Sequence, residues 1–398
     1  MNKLFHQFRE KISKMEVRYV RYLYNDIVWT DRLIALKGAR GVGKTTLLYQ
    51  HIKLNRALND ETLYVSLDDL YFQANTLVDM AEEFHLNGGK YLYLDEVHKY
   101  PNWSIEIKNL YDRYDDLHIV FTSSSLLEIY KGDADLSRRA VTYNLQGLSF
   151  REYLALQDVL DIPSFRLPDL LENHLAIAEK ICSETKIIPH FRKYLESGYY
   201  PFYLEGETSY YGKIKSVINL TIESDIPSVF STEFRTLQKI KKLLYVVATS
   251  LPYIPNIAKL SESLETTSRN STLQYLDYLE KASMTKSLKT NAKGNNYLAK
   301  PDKIYLENTN MVYAIGDDRG NEGNIRETFF FNQLAAKNEV KTSKVSDFLV
   351  NEKYTFEVGG KGKTTTQIKE IDNAYIAADN IEIGFRNKIP LWLFGFLY

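Results

Sequence analysis

A chain of 398 residues with 50 Lys plus Arg against 51 Asp plus Glu has a net charge of -1, so no global field recruits nucleic acid or a membrane, and any such binding must be local. With 44% hydrophobic and 25% charged residues the composition is globular, which excludes disorder or a fibrous repeat and leaves room for roughly two or three domains. The one cysteine, Cys182, excludes an intrachain disulfide and a thiolate zinc site and fits a reducing cytoplasm; the seven histidines have no ligand spacing.

In residues 1–30, Leu4, Phe5, Phe8, Ile12 and Met15 recur at helical spacing, which predicts a helix docked on its own domain. The segment lacks the continuous apolar run of a secretory signal and is expected to be retained. No apolar stretch in the chain reaches the ~18 residues that span a bilayer, so no membrane partner is expected.

Residues 31–150 read as a nucleotide-binding α/β domain. A short buried strand at 31–37 (DRLIALK) runs into Gly38, Ala39, Arg40, Gly41, Val42, Gly43, Lys44 and Thr45, and then into the helical TLLYQHIKL, which begins at Thr46. This is G-x-x-x-x-G-K-T between a strand and a helix, the context a P-loop requires. Its glycines let backbone N–H groups curl around phosphates, Lys44 reaches the β and γ oxygens, and the Thr45 hydroxyl ligates Mg2+ at a helix N-terminus. A strand at 62–67 (TLYVSL) follows. The next, at 91–94 (YLYL), ends in Asp95 and Glu96, a Walker B pattern in which Asp95 holds magnesium through water and Glu96 polarises the attacking water. After a strand at 118–121 (HIVF), Thr122 or Ser123 is the candidate γ-phosphate sensor, although a serine run also makes ordinary turns. Arg138 and Arg139 are paired guanidiniums suited to neutralising transition-state charge, within the chain or across subunits, or else surface arginines.

The order GARGVGKTTLL, YVSLDD, YLYLDEVHKYPNW, IVFTSSSLLEI and LSRRAVTYNLQGLSFREYL resembles the bacterial and archaeal AAA-superfamily ATP-binding proteins, whose C-terminal region is a domain of unknown function with a nuclease-like tail. The resemblance spans essentially the whole chain and implies ATP binding and hydrolysis. Where that family ends its sensor strand in Gly-Ser, this chain has Thr122-Ser123.

Residues 151–232 are helical and aromatic, interrupted by Gly198-Tyr199-Tyr200-Pro201, which resembles the family's turn after the ATPase core; the 30 tyrosines read mainly as helix-packing residues. Residues 233–315 resemble a winged helix-turn-helix: apolar helices at 234–250 and 256–264, a capped recognition helix at 267–279, and a wing from 284–297 and 303–306. Between Thr236 and Lys300 ten Lys or Arg face four Asp or Glu, which supports phosphate contact with double-stranded DNA through Arg269, Asn270 and Gln274; such modules also bind proteins. Residues 320–398 are similar to a restriction-endonuclease-like α/β core in which a helical Glu327, a strand Asp347 and a strand Glu357 would gather a divalent ion. Gly359 stands where the lysine belongs, so Lys361 or Lys363 would have to reach back, with Lys361 the favoured candidate, and a retained fold without cleavage is expected.

The fold expectation is therefore a P-loop parallel α/β sheet followed by a helical region, a winged helix and a small nuclease-like α/β domain. The function expectation is a cytoplasmic Mg-ATPase associated with DNA. Its rivals are a nucleotide-dependent protein-interaction or self-association switch, and an ATP-dependent nuclease.

Overall fold

The computed structural model describes residues 1–123, 136, 138–230, 232–250, 252–266, 268–290, 300–316, 321–364, 366 and 368–398. Two compact units emerge: residues 1–147 with 228–230, and residues 148–227 with 231–398.

In the first unit, helix α1 (Asn2–Lys14) buries Leu4, Phe8 and Ile12, the stripe that its spacing predicts. There follow β1 (Leu33–Lys37), α2 (Lys44–Asn55), β2 (Thr62–Ser66), α3 (Leu77–Leu86), β3 (Tyr91–Asp95), α4 (Trp103–Arg113), β4 (His118–Thr122) and β5 (Val141–Asn144). All neighbours pair in parallel, in the order β2-β3-β4-β1-β5. Leu33, Ile34, Ala35 and Leu36 are all buried, as are Leu92, Tyr93 and Leu94, because a parallel sheet covered on both faces needs near-continuous apolar runs. Each such fully buried large side chain contributes about 1.5–3 kcal/mol. The four expected strands are present, and β5 is an addition: an edge strand with Val141, Thr142 and Asn144 exposed, so its sequence carries no buried pattern to read. The insertion of β4 between β1 and β3 brings three strand ends side by side. Leu36 pairs with Thr122 and Leu94 with Phe121, so Asp95 and Thr122 stand level next to the loop after β1.

The second unit begins at a capping box in which Ser149 and Glu152 each satisfy the other's backbone N–H at the start of α5 (Phe150–Leu156). Helices α6 (Leu167–Glu184), α7 (Ile187–Ser197) and α8 (Tyr210–Leu220) follow. Phe150, Phe191, Tyr194, Phe329 and Phe396 form an aromatic core with ring centroids 4.8–6.0 Å apart. At the glycine-tyrosine turn the buried Asn310 accepts from the Tyr199 N–H at 2.7 Å and donates to the Leu195 carbonyl at 2.8 Å, while Tyr199, Tyr200 and Tyr210 are buried around it. These tyrosines are core, as the sequence suggests.

Three helices, α9 (Phe234–Thr249), α10 (Ile257–Ser263) and α11 (Arg269–Lys281), precede an antiparallel hairpin of β6 (Thr285–Leu288) and β7 (Lys303–Leu306). Tyr253, between α9 and α10, bridges to Ile304 in antiparallel fashion. The strand expected over 284–297 is shorter, and its part at 291–297 lies outside the described residues. Beyond α12 (Thr309–Ile315) and α13 (Glu322–Ala335) comes a second sheet of β8 (Val340–Thr342), β9 (Phe348–Val350), β10 (Tyr354–Gly359), β11 (Ala374–Ala378) and β12 (Lys388–Pro390). Strands β8, β9 and β10 are antiparallel, and β11 and β12 continue parallel to β10. No helix among the described residues is long and apolar enough to cross a membrane.

Candidate functional site

The loop from Gly38 to Gly43 turns β1 into α2 through backbone shapes that only glycine adopts easily. Gly38 has φ 154°, and a Cβ there would lie 2.4 Å from the Leu145 carbonyl oxygen. Gly43 has φ 98° and immediately precedes the first residue of the helix. The loop is braced from outside by Arg21, a buried guanidinium that donates to the carbonyls of Val42 at 2.6 Å, Gln146 at 2.7 Å and Gly147 at 2.9 Å. Ala39 and Arg40 are half-buried, Gly41 is exposed, and Val42 is buried. Thr46 faces outward on the first turn of α2.

Lys44 is buried, and its ammonium donates to the carbonyls of Gly38 and Ala39, each at 2.9 Å, which centres a positive charge over the loop. Next to it the Thr45 hydroxyl donates to Asp95 Oδ2 at 2.6 Å, so the two expected magnesium-side residues meet. Asp95 is 3% exposed and collects further donors: Tyr64 OH at 2.7 Å, the Glu96 N–H at 3.2 Å, and the Thr122 hydroxyl. Burial, reinforced by the Asp95 charge, pushes the Tyr64 phenol up, so it remains a donor. The oxygen set of a hydroxyl and a carboxylate is hard and suits magnesium.

Glu96 follows Asp95 with φ 53° and ψ 40°, a left-handed conformation in a residue that has a Cβ. Its carboxylate lies 3.4 Å from His98 Nε2, and His98 Nδ1 lies 3.3 Å from the Ser123 hydroxyl. Thr122 and Ser123, the two sensor candidates, are both buried, one hydroxyl on Asp95 and the other next to His98. Ser124, Ser125 and Ser137 lie outside the described residues. Arg139 makes a two-pronged ion pair with Asp112 of α4 at 2.7 and 2.9 Å, which holds the Asp112 carboxyl below its ordinary range, while Arg138 is exposed.

The second unit gathers the acidic residues expected in the tail. Asp347 Oδ2 accepts the Val358 N–H at 2.9 Å, and Glu357 Oε2 accepts from Ser346 at 2.7 Å. Lys303, on β7, sits 3.5 Å from both Glu327 Oε2 and Asp347 Oδ1, and Tyr305 donates to Glu327 at 2.6 Å. Burial and the neighbouring Asp347 charge raise the Glu327 pKa. The ammonium paired with Glu357 is Lys363, and not Lys361, whose carbonyl instead accepts from Lys388 at 2.6 Å. A Cβ at position 359 would come within 3.0 Å of Lys363 Cβ, Cγ and Cδ, so the missing side chain of Gly359 is the space through which Lys363 passes. Among the described residues no three His, Cys, Asp or Glu side chains are grouped so as to hold a metal ion. On α11, Arg269, Asn270 and Gln274 are exposed.

His98, Tyr64, Lys303, Tyr305 and Lys363 were not assigned by motif spacing. Lys363 is legible only as an alternative to Lys361, and nothing in the spacing marks His98.

Residues 30–154 match the family described as AAA domain, and residues 188–321 match a domain of unknown function, DUF8612. An uncharacterized protein of Methanocaldococcus jannaschii is 32% identical over 289 residues, covering 69% of this chain and 58% of that relative. The chain thus spans somewhat over half the length of the curated relative it matches. Among solved structures, the Walker-type ATPase of Pyrococcus abyssi aligns at 11% identity over 77% of this chain and 95% of that one, with a TM-score of 0.39. AMPPCP-bound DnaA from Aquifex aeolicus aligns at 15% identity over 70% and 89%, with a TM-score of 0.26. A P-loop and an Asp-Glu strand end thus stand together in one five-stranded parallel sheet, and residues 30–154 of this chain form an AAA-type P-loop domain.

Proposed function

We propose that the protein binds Mg-ATP on the Gly38–Gly43 loop and hydrolyses it, with Glu96 as the group that polarises the attacking water. The observation that carries this reading is the 2.6 Å contact between Thr45 and Asp95, which joins the start of α2 to the end of β3. Loop N–H groups and Lys44 would hold the phosphates, with the Lys44 ammonium exchanging its loop carbonyls for β and γ oxygens. Thr45 and Asp95 would hold magnesium, which when bound would supply charge neutralisation on the phosphate oxygens. Glu96 then accepts a proton from water, and Arg138 or Arg139 supplies positive charge within the chain or from a second copy; Arg139 must first leave Asp112. Phosphate release by wild type and by Glu96→Gln tests this: the variant should retain ATP binding within a few fold and lose turnover by about 10² or more. Wild-type turnover in that variant would remove Glu96 from the role.

We further propose that duplex DNA docks on the three-helix and hairpin segment, which reads as a winged helix. Exposed Arg269, Asn270 and Gln274 on α11 support it, together with the local excess of ten basic over four acidic residues. A protein-interaction switch is the rival reading, supported by a groove of about 510 Å³ lined by Ile254, Pro255, Ile257 and Ala258 together with Asn256, Arg269 and Lys300. ATPase stimulation by duplex DNA that falls steeply with salt selects the first; salt-insensitive stimulation by rising protein concentration selects the second. The tail is proposed to keep a nuclease-like arrangement without cleavage, and plasmid cleavage in magnesium or manganese that is lost in Asp347→Ala would reverse that.

A further inference from the structure

We propose that His98 is the positioning residue for Glu96, a buried imidazole that fixes the orientation of that carboxylate and links it to Ser123 at the end of β4. The inference rests on the ATPase reading above and adds a residue to it. Glu96 is the first residue after β3, and the chain turns there into a short 3-10 turn, Val97–Lys99. That turn returns His98 beneath the residue two positions before it. The His98 side chain is 0% exposed and the Glu96 side chain 21%, so the imidazole is fully buried and the carboxylate reaches solvent.

The chemistry of the three groups sets the direction of the contacts. An ionised carboxylate only accepts, so the proton facing Glu96, 3.4 Å away, belongs to His98 Nε2. In the neutral imidazole Nδ1 is then the acceptor, and it faces the Ser123 hydroxyl at 3.3 Å. The Ser123 N–H donates in turn to the Leu36 carbonyl at 3.3 Å, two residues before the P-loop begins. The contacts therefore run from the end of β1 through Ser123 and His98 to Glu96. Meanwhile Thr122, the preceding residue of β4, is occupied with Asp95. Adjacent hydroxyls on one strand end thus serve the two acids: Thr122 the metal-side Asp95, Ser123 the water-side Glu96.

A water-polarising carboxylate is effective only in one orientation, and a misplacement of about 1 Å can cost on the order of 10² in rate. His98→Phe keeps the ring volume and removes both nitrogens, whereas His98→Gln keeps an N–H donor near the Nε2 position. In the full chain, His98→Phe is expected to lower kcat by about 10- to 100-fold while KM and the affinity for a fluorescent ATP analogue stay within about threefold. His98→Gln should recover most of that kcat, and Ser123→Ala should lose a few fold. Adding His98→Phe to Glu96→Gln should cost nothing further, because the group being positioned is gone. If His98→Phe does not fold, the Gln and Ser123→Ala variants carry the test. Wild-type kcat in His98→Phe, or a Gln variant as slow as Phe with KM and melting temperature moving together, overturns the relay while leaving the ATPase reading intact. Absence of hydrolysis by the wild type, with ATP bound, overturns that reading and the relay with it.

Discussion

Asp95 at the end of β3 and Glu357 on β10 are carboxylates of similar burial, 3% and 5% exposed, yet their neighbours differ in kind. Asp95 receives hydroxyls from Thr45, Tyr64 and Thr122 and one backbone N–H. Glu357 receives the Lys363 ammonium besides the Ser346 hydroxyl, and its neighbours Asp347 and Glu327, each with one neutral donor, share the Lys303 ammonium. Neutral donors orient a carboxylate and leave its charge available to an incoming cation. Ammonium groups cancel the charge, so a divalent ion must displace them. The first arrangement suits the proposed exchange of a metal-bound nucleotide. The second suits a fixed joint between β7, α13 and the second sheet.

The sharpest way to break this contrast is to remove the positive charge on the first side. Lys44→Ala should weaken ATP binding by about 10² or more, read by titration with a fluorescent analogue, because the loop then holds a polyanion without its buried ammonium. An affinity within fivefold of wild type would place the phosphates elsewhere. On the other side, Lys363→Ala leaves the buried Glu357 with the Ser346 hydroxyl but without its ammonium. Since Lys363 is 35% exposed, screening reduces the penalty, and a loss of about 1–2 kcal/mol, a fall of several degrees in the melting temperature, is expected.

Smaller changes sharpen the comparison. Tyr64→Phe deletes one neutral donor to Asp95, about 1 kcal/mol, and should raise the magnesium concentration for half-maximal ATPase by roughly fivefold without altering the fold. The smallest effect is a pH dependence at Glu327. Its folded pKa is raised, so its contribution to stability is greatest below the ordinary carboxylate range and is lost as pH rises through the folded value. Glu327→Gln abolishes that loss, so its melting temperature should gain on wild type by about a degree or two between pH 4 and 7. A difference that shrinks over that range would show that Lys303 and Tyr305 outweigh burial.

What the sequence discloses about these two sites follows from how local each is. The P-loop is eight contiguous residues between a strand and a helix, and the spacing alone locates Lys44, Thr45 and the glycines. The Asp95–Glu96 pair is equally local. Tyr64 reaches Asp95 from β2, 31 positions earlier, and only the strand order brings it there. Lys303 reaches Glu327 across 24 positions in the same way. Lys363 is offered by the spacing only beside Lys361, and its passage over Gly359 to Glu357 is a matter of ångströms that no spacing encodes. Strand β5 went unseen because an edge strand with a mostly exposed face has no apolar signature.

Arg21 has a bearing on where this first unit can be cut. The region of family similarity starts at residue 30, nine positions after the guanidinium that grips Val42, Gln146 and Gly147. An excised fragment beginning at that homology border would leave three carbonyls, two of them after β5 and one inside the phosphate loop, without this donor. Each such loss costs about 1–3 kcal/mol where the carbonyl stays dry. The edge of the AAA-domain match and the mechanical border of the P-loop site are therefore different places, and an expression fragment that respects only the former would lack Arg21.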